Sequence, residues 1–149
     1  MPHRIRLARP DDAARIAELA GELGYPAAPE QVVERLAELA QRAEHAVFVL
    51  EEAAIVQAFV HVEHVHALVS APHVEVAALV VASVVRSRGH GRALLEHAQA
   101  WARARGVTTL RLRSRSSRER AHAFYRRAGY VVTKTQLCFE RGLDPRAFE

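Results

Sequence analysis

The sequence predicts an α/β fold in which helices pack on a mixed β-sheet. Apolar segments with the alternation of strands are interspersed with segments whose apolar residues recur at helical spacing. One strand, helix and strand follow each other between residues 74 and 112, which implies a parallel strand pair. The chain has 149 residues, half of them hydrophobic, enough for one core, so we expect a single domain over residues 1–149.

The N-terminal half is predicted to contain one strand, two amphipathic helices and an antiparallel hairpin. The first strand alternates polar and apolar residues, and each helix begins at a proline, which suits the first helical turn. Two β-rich runs separated by a short polar turn predict the hairpin. The predicted bounds are strand 3–9, helices 10–24 and 29–43, and hairpin strands 46–50 and 55–65.

The C-terminal half is predicted to contain four strands and two helices. An apolar run leads into a glycine-rich turn and then a helix with one apolar stripe, which ends at Gly106. A capping box formed by Ser116 and Glu119 predicts the start of the last helix, and Gly129 predicts its end. The predicted strands are 74–81, 107–112, 130–133 and 137–140.

Charge and composition narrow the expected partners. The net charge is +4, and the basic residues, mostly arginine, concentrate between residues 86 and 127. Because arginine offers several planar donors to phosphate, we expect an anionic partner. The single cysteine, Cys138, excludes an internal disulfide. No signal pattern or apolar run of roughly 18 residues is present, so we expect a cytoplasmic protein without membrane contact.

The glycine-rich turn Arg86-Ser-Arg-Gly-His-Gly-Arg92 combines three arginines with two glycines directly before a helix. Unpaired N–H groups at a helix N-terminus attract anions, and glycines allow phosphate oxygens to approach the backbone. A dinucleotide fingerprint would need a glycine where Leu94 stands, and the Gly-Lys-Ser/Thr of a P-loop is absent. A simple tight turn is the alternative.

Two segments resemble the GCN5-related N-acetyltransferase (GNAT) family. The segment from Leu79 to Leu95 is similar to its acetyl-CoA-binding strand, turn and helix, and Ala121-His-Ala-Phe-Tyr-Arg-Arg-Ala-Gly-Tyr130 is similar to its second motif. The resemblance implies a mixed, mostly antiparallel sheet of six or seven strands with helices on both faces. It also implies acetyl-CoA as co-substrate and a chain that can form a homodimer, since members are often dimers.

The resemblance assigns cofactor contacts residue by residue. The backbone of the strand before the turn would pair with the pantetheine arm of acetyl-CoA, and the turn would hold the pyrophosphate. An extended backbone and a helix N-terminus suit these roles. The residues implied for the arm are Leu79, Val80 and Val81. Those implied for the pyrophosphate are Arg86, Arg88, Gly89, His90, Gly91, Arg92 and Ala93.

Acetyl transfer to an amine needs a deprotonated amine and a proton for the leaving thiolate. The resemblance implies that Tyr125 is the general acid and Glu75 the general base. By strict alternation Glu75 shares a strand face with Ala77, Leu79 and Val81, where a carboxylate beside apolar neighbours is suited to taking a proton through water. The simpler alternatives are that Tyr125 is a core residue and that Glu75 is a solvent-exposed residue at the end of a strand.

One departure from the family pattern is Arg118. Many members carry an asparagine at this position, three residues before the second motif, where it binds the pantetheine or an ordered water. Ser116 or Ser117 could replace it, although Ser116 is also predicted to cap the helix. The contact made at this position therefore stays open.

A histidine-rich stretch, His61-Val-Glu-His-Val-His66, raises the question of a metal site. In a strand His64 and His66 share one face while His61 and Glu63 share the other, so the four do not converge, and we expect no metal. We expect these side chains to line the acceptor cleft or face solvent, where a neutral histidine could act as an auxiliary base. The other acceptor-side candidates are Tyr25 and Phe59. Acidic residues in the cleft would favour a cationic acceptor, and the sequence leaves open which of Glu22, Glu51, Glu63 and Glu75 converge there.

The leading hypothesis is an acetyl-CoA-dependent N-acetyltransferase that acts on a primary amine of a small molecule such as an aminoglycoside or polyamine. A protein N-terminus or lysine is the alternative acceptor. A basic nucleic-acid-binding module is less favoured, because the arginines do not alternate with aromatic stacking residues, and we expect no nucleic acid partner. A CoA-binding regulator without turnover is the remaining alternative.

Overall fold

The computed structural model describes residues 2–144 and 146. Within these residues the chain divides into two compact units, with the boundary between Arg113 and Ser114. The single domain expected from the sequence stays a prediction. None of the helices in the described part of the chain has the length and apolar character needed to cross a membrane.

The first unit contains five strands and three helices. Single turns of 3-10 helix precede the first helix, at Pro10–Asp12, and follow the fourth strand, at Ser83–Val85. The strands are β1 His3–Leu7, β2 His45–Glu52, β3 Ile55–Val65, β4 His73–Val81 and β5 Leu110–Leu112. The helices are α1 Ala13–Leu23, α2 Pro29–Ala40 and α3 His90–Ala104.

The five strands form one mixed sheet in the order β1-β2-β3-β4-β5. The first four strands are antiparallel, which confirms the predicted hairpin of β2 and β3. Strand β5 pairs parallel to β4, as the strand-helix-strand unit predicts. The described residues thus give five strands instead of the six or seven expected.

Helices cover both faces of this sheet. Val49 of β2 is fully buried in a core cluster with Ile16 and Leu19 of α1. The preceding residue, Phe48, points to the opposite face, where its ring packs edge-on against His97 of α3 with centroids 4.4 Å apart. The period-2 alternation of the strand therefore places α1 and α2 on one face and α3 on the other.

A β-bulge at Ala77 changes the faces predicted for β4. His61 is opposite Ala78 and Val62 is opposite Val76, so Ala77 is the extra residue. Glu75 consequently shares the α1 and α2 face with Ala78 and Val80, and the predicted grouping of Glu75 with Ala77, Leu79 and Val81 is wrong. The inserted residue shifts the alternation by one position.

The second unit contains one helix, α4 Glu119–Arg127. The predicted capping box is wrong, because Arg118 is the N-cap residue and no side chain caps the helix. The two final strands are also wrong for the described residues. Residues 131–141 are exposed and form no ladder, and an alternating segment becomes a strand only when a neighbour pairs with its N–H and C=O groups.

Candidate active site

The glycine-rich turn connects β4 to α3 through two left-handed residues. Ser87 has φ of 70° and Gly89, the N-cap of α3, has φ of 84°. Glycine adopts this conformation without strain, whereas a serine there costs energy. The chain thereby turns sharply into the first turn of α3.

The first turn of α3 presents free backbone donors. The N–H of Ala93 donates to the carbonyl of Gly89 at 3.0 Å and closes the first helical turn. By helix geometry the N–H groups of His90, Gly91 and Arg92 have no partner inside the helix. These three groups and the positive end of the helix dipole can bind an anion, whereas the Ala93 N–H is already engaged.

Two of the three arginines of the turn have carboxylate partners. Arg86, Arg88 and Arg92 are exposed. Arg88 Nη1 lies 3.3 Å from Glu52 Oε1 at the end of β2, and Arg92 Nε lies 3.4 Å from Glu96 Oε1 one helical turn further on. Because exposed pairs of this kind are weak, an anion can compete for both guanidinium groups.

His90 lies beneath the turn, with its side chain only 3% exposed. Its Nε2 is 3.6 Å from Glu52 Oε2, and its ring packs edge-on against His3. Burial lowers the pKa of His90, which the charge of Glu52 opposes. Glu52 therefore contacts both Arg88 and His90, and sequence reasoning missed it because it precedes the turn by more than thirty residues.

The pairing between strands β4 and β5 ends next to the bulge. Strand β5 pairs only with Val74, Glu75 and Val76, whereas β3 pairs with β4 as far as Val81. Residues 79–81 therefore extend past β5 and can offer backbone amides to an extended ligand. These are the residues that the resemblance assigns to the pantetheine arm.

Two carboxylates face each other across β3 and β4. Glu63 and Glu75 are directly opposite on the α1 and α2 face. Arg113 Nη1 lies 2.7 Å from Glu75 Oε1, and the Glu75 side chain is 15% exposed. The remaining candidate glutamates have other partners: Glu51 binds Arg4 and Arg6, and Glu22 accepts the N–H of Ser83.

The histidines of β3 separate to opposite faces, as the alternation predicts. His61 approaches His45 of β2 on the α1 and α2 face, while His64 stacks on His66 with centroids 4.3 Å apart. Arg105 at the end of α3 donates to His64 Nδ1 at 3.0 Å. Within residues 2–144 and 146 no group of three histidine, cysteine or acidic side chains is arranged to hold a metal ion.

The aromatic candidates have different surroundings. Tyr25 is exposed, whereas Phe59 is buried in the core against α1, so its predicted place in an acceptor cleft is wrong. Tyr125 is on α4 of the second unit, beside the rings of Phe124 and Tyr130. Burial raises the pKa of Tyr125, which keeps its phenol protonated at neutral pH.

A glycine-rich turn that leads from a strand into a helix N-terminus is suited to a protein that binds a phosphorylated cofactor. The sequence profile of the acetyltransferase (GNAT) family matches residues 13–130. The chain therefore belongs to the GNAT family and is an acetyl-CoA-dependent N-acetyltransferase, which confirms the resemblance seen in its two motifs.

Relatives and solved structures agree with this assignment. The chain is 32% identical over 148 residues to the aminoglycoside N(6')-acetyltransferase type 1 of Stenotrophomonas maltophilia, covering 96% of this chain and 95% of the relative. The aminoglycoside 6'-N-acetyltransferase AAC(6')-Ih of Acinetobacter baumannii has a TM-score of 0.84 at 14% identity, covering 95% of this chain and 99% of that one. AAC(6')-Iy, solved in complex with CoA, has a TM-score of 0.85 at 17% identity, covering 94% and 95%. The two solved structures are similar in fold.

Proposed function

We propose that this enzyme acetylates a primary amine of a small cationic molecule, of the aminoglycoside or polyamine class. One observation carries the proposal: Glu63 and Glu75 are directly opposite each other on β3 and β4, one residue before the ladder between β4 and β5 ends. Paired carboxylates attract an acceptor with more than one ammonium group. The aminoglycoside acetyltransferase relative supports the same acceptor class.

The cofactor contacts are proposed along β4 and at the N-terminus of α3. Residues 79–81 would pair with the pantetheine arm, and the N–H groups of residues 90–92 would bind the pyrophosphate. Arg86, Arg88 and Arg92 would supply the counter-charge. When bound, acetyl-CoA supplies the thioester whose acetyl group is transferred.

Two side chains are proposed to act on the reacting groups. Glu75 would hold the acceptor ammonium, at the position that the resemblance gives to the general base. Tyr125 would protonate the thiolate that leaves. The phenol of Tyr125 is protonated at neutral pH, as a general acid must be before the thiolate forms.

Release of CoA from acetyl-CoA in the presence of different amines tests the proposal. The panel contains aminoglycosides with a primary amine, spermidine, and peptides with a free N-terminus or a lysine. We expect turnover with the polycationic small molecules. Glu75→Gln should lower kcat/KM for the amine by about 10²-fold, whereas Glu34→Gln, an exposed glutamate of α2, should leave it unchanged.

Two results would contradict the proposal in different ways. Turnover confined to the peptides would make the enzyme a protein acetyltransferase. Tight acetyl-CoA binding without CoA release for any amine would favour a CoA-binding regulator.

A further inference from the structure

Two histidines of neighbouring strands are within hydrogen-bond distance of each other on the α1 and α2 face of the sheet. His45 Nδ1 of β2 and His61 Nε2 of β3 are 3.0 Å apart, and the ring centroids are 5.2 Å apart. Two neutral imidazoles form such a bond only when one nitrogen carries the proton and the other accepts it. The pair therefore shares one N–H, whose direction depends on the tautomer.

The strand register places His61 of this pair next to β4 at its bulge. His61 is opposite Ala78, the first residue after the bulge, while Glu63 is opposite Glu75. His61 and Glu75 are thus diagonal neighbours on one face, and side chains at diagonal positions of neighbouring strands can approach each other. An ammonium held at Glu75 would therefore lie on the same face as His61 and one strand away from it.

The surroundings keep His61 neutral and connect His45 to a carboxylate. Burial, and secondly the nearby His45, lower the pKa of His61 to about 4, so its ring is uncharged at neutral pH. His45 Nε2 lies 3.9 Å from Glu63 Oε1, and the side chain of Glu63 is 40% exposed. The path from His61 through His45 therefore ends at a carboxylate in contact with solvent.

Glu75 already has a cationic partner. Arg113 Nη1 lies 2.7 Å from Glu75 Oε1, so this carboxylate is held in an ion pair. A proton that passes through neutral imidazoles disrupts no ion pair. The ammonium can therefore be assigned to Glu75, and the proton that it releases can be assigned to the histidine pair.

We propose that His61 accepts the proton of the acceptor ammonium and that His45 passes a proton to Glu63 and solvent. As the N–H bond of the ammonium breaks, its proton binds His61 Nδ1, and the amine keeps the electron pair. His61 Nε2 gives its proton to His45 Nδ1, and His45 Nε2 releases its proton to the Glu63 carboxylate or to water. Both rings end neutral, and the shared hydrogen bond has reversed its direction.

This inference rests on the proposed acetyl transfer to an amine, and substitution of each histidine tests it. Glutamine can hydrogen bond but cannot pass a proton on, so His61→Gln and His45→Gln should each lower kcat by about 10- to 100-fold. The KM and the calorimetric affinity for acetyl-CoA should stay unchanged. His66→Gln is the matched control, because His66 is exposed and stacks on His64, on the α3 face. Added imidazole should restore part of the rate of His61→Ala.

The possible results separate this inference from the proposed function. A kcat of His61→Gln within about twofold of the wild type overturns the relay and leaves the acetyltransferase proposal intact. If a histidine variant loses acetyl-CoA affinity by the same factor as kcat, the histidines have a structural role, and this result overturns the relay too. Absence of CoA release by the wild type with every amine overturns both.

Nitrogen NMR of the wild-type imidazoles gives a readout that requires neither activity nor a variant. We expect one proton shared between His45 Nδ1 and His61 Nε2 at neutral pH. Two rings without this N–H···N bond would overturn the inference.

Discussion

Gly89 and Gly106 allow a matched pair of substitutions at the two ends of α3. Both have left-handed backbones, with φ of 84° and 80°, and a Cβ added at either would meet no atom within 4 Å. Alanine is therefore strained at both positions by the backbone alone, by about 1 to 2 kcal/mol. We expect both variants to unfold at lower temperature, by roughly 2 to 4 °C for each kcal/mol.

Only Gly89 belongs to the turn that we assign to the pyrophosphate. A methyl group there would restrict the approach of phosphate oxygens to the N–H groups of residues 90–92. Gly89→Ala should therefore weaken acetyl-CoA binding by about tenfold, or about 1.4 kcal/mol, while Gly106→Ala leaves it unchanged. Calorimetric titration measures the affinities, and circular dichroism measures the melting temperatures. If Gly89→Ala and Gly106→Ala are equally stable and bind acetyl-CoA with equal affinity, the assignment of the turn to the pyrophosphate is refuted.

Three further substitutions test other contacts. Arg6 donates to both oxygens of Asp12, at 2.8 and 3.0 Å, so Asp12→Asn should lower the free energy of unfolding by about 2 to 3 kcal/mol in a denaturant titration. Arg6 also holds the pKa of Asp12 below its usual value, so this stabilisation should be complete above about pH 4 and be lost as pH falls further through the folded pKa. Tyr125→Phe keeps the ring but not the proton, and should lower kcat by about 10²-fold with calorimetric affinity for acetyl-CoA unchanged. Glu52→Gln should free Arg88 and lower the KM for acetyl-CoA by about two- to threefold at low salt, a difference that high salt should reduce.

The sequence predicts the central segment of the fold well because its signals are local. The hydrophobic period changes from two to 3.6 across the glycine turn, and a glycine stands where the backbone is left-handed. The parallel pairing of β4 with β5 follows from the helix between them. The two family motifs are likewise short segments with fixed spacing, so the family could be identified from them.

Features that depend on distant residues or on register were not predictable. The bulge at Ala77 has no mark in residue type, yet it moves Glu75 onto the face of Glu63. The contacts of Glu52 with Arg88 and His90 join segments far apart in the chain. Likewise, local alternation in the last segment could not reveal that the described residues offer it no pairing partner.

The central claim is that the turn from Arg86 to Arg92 binds the pyrophosphate of acetyl-CoA. Calorimetric titration of Arg88→Ala with acetyl-CoA and with S-acetylpantetheine, which lacks the pyrophosphate, tests it most directly. Arg103→Ala is the matched control, since Arg103 is an exposed arginine in the last turn of the same helix. We predict that Arg88→Ala weakens acetyl-CoA binding by about tenfold, leaves S-acetylpantetheine binding unchanged, and that Arg103→Ala affects neither. Equal losses for the two ligands, or no loss for acetyl-CoA, would contradict the claim.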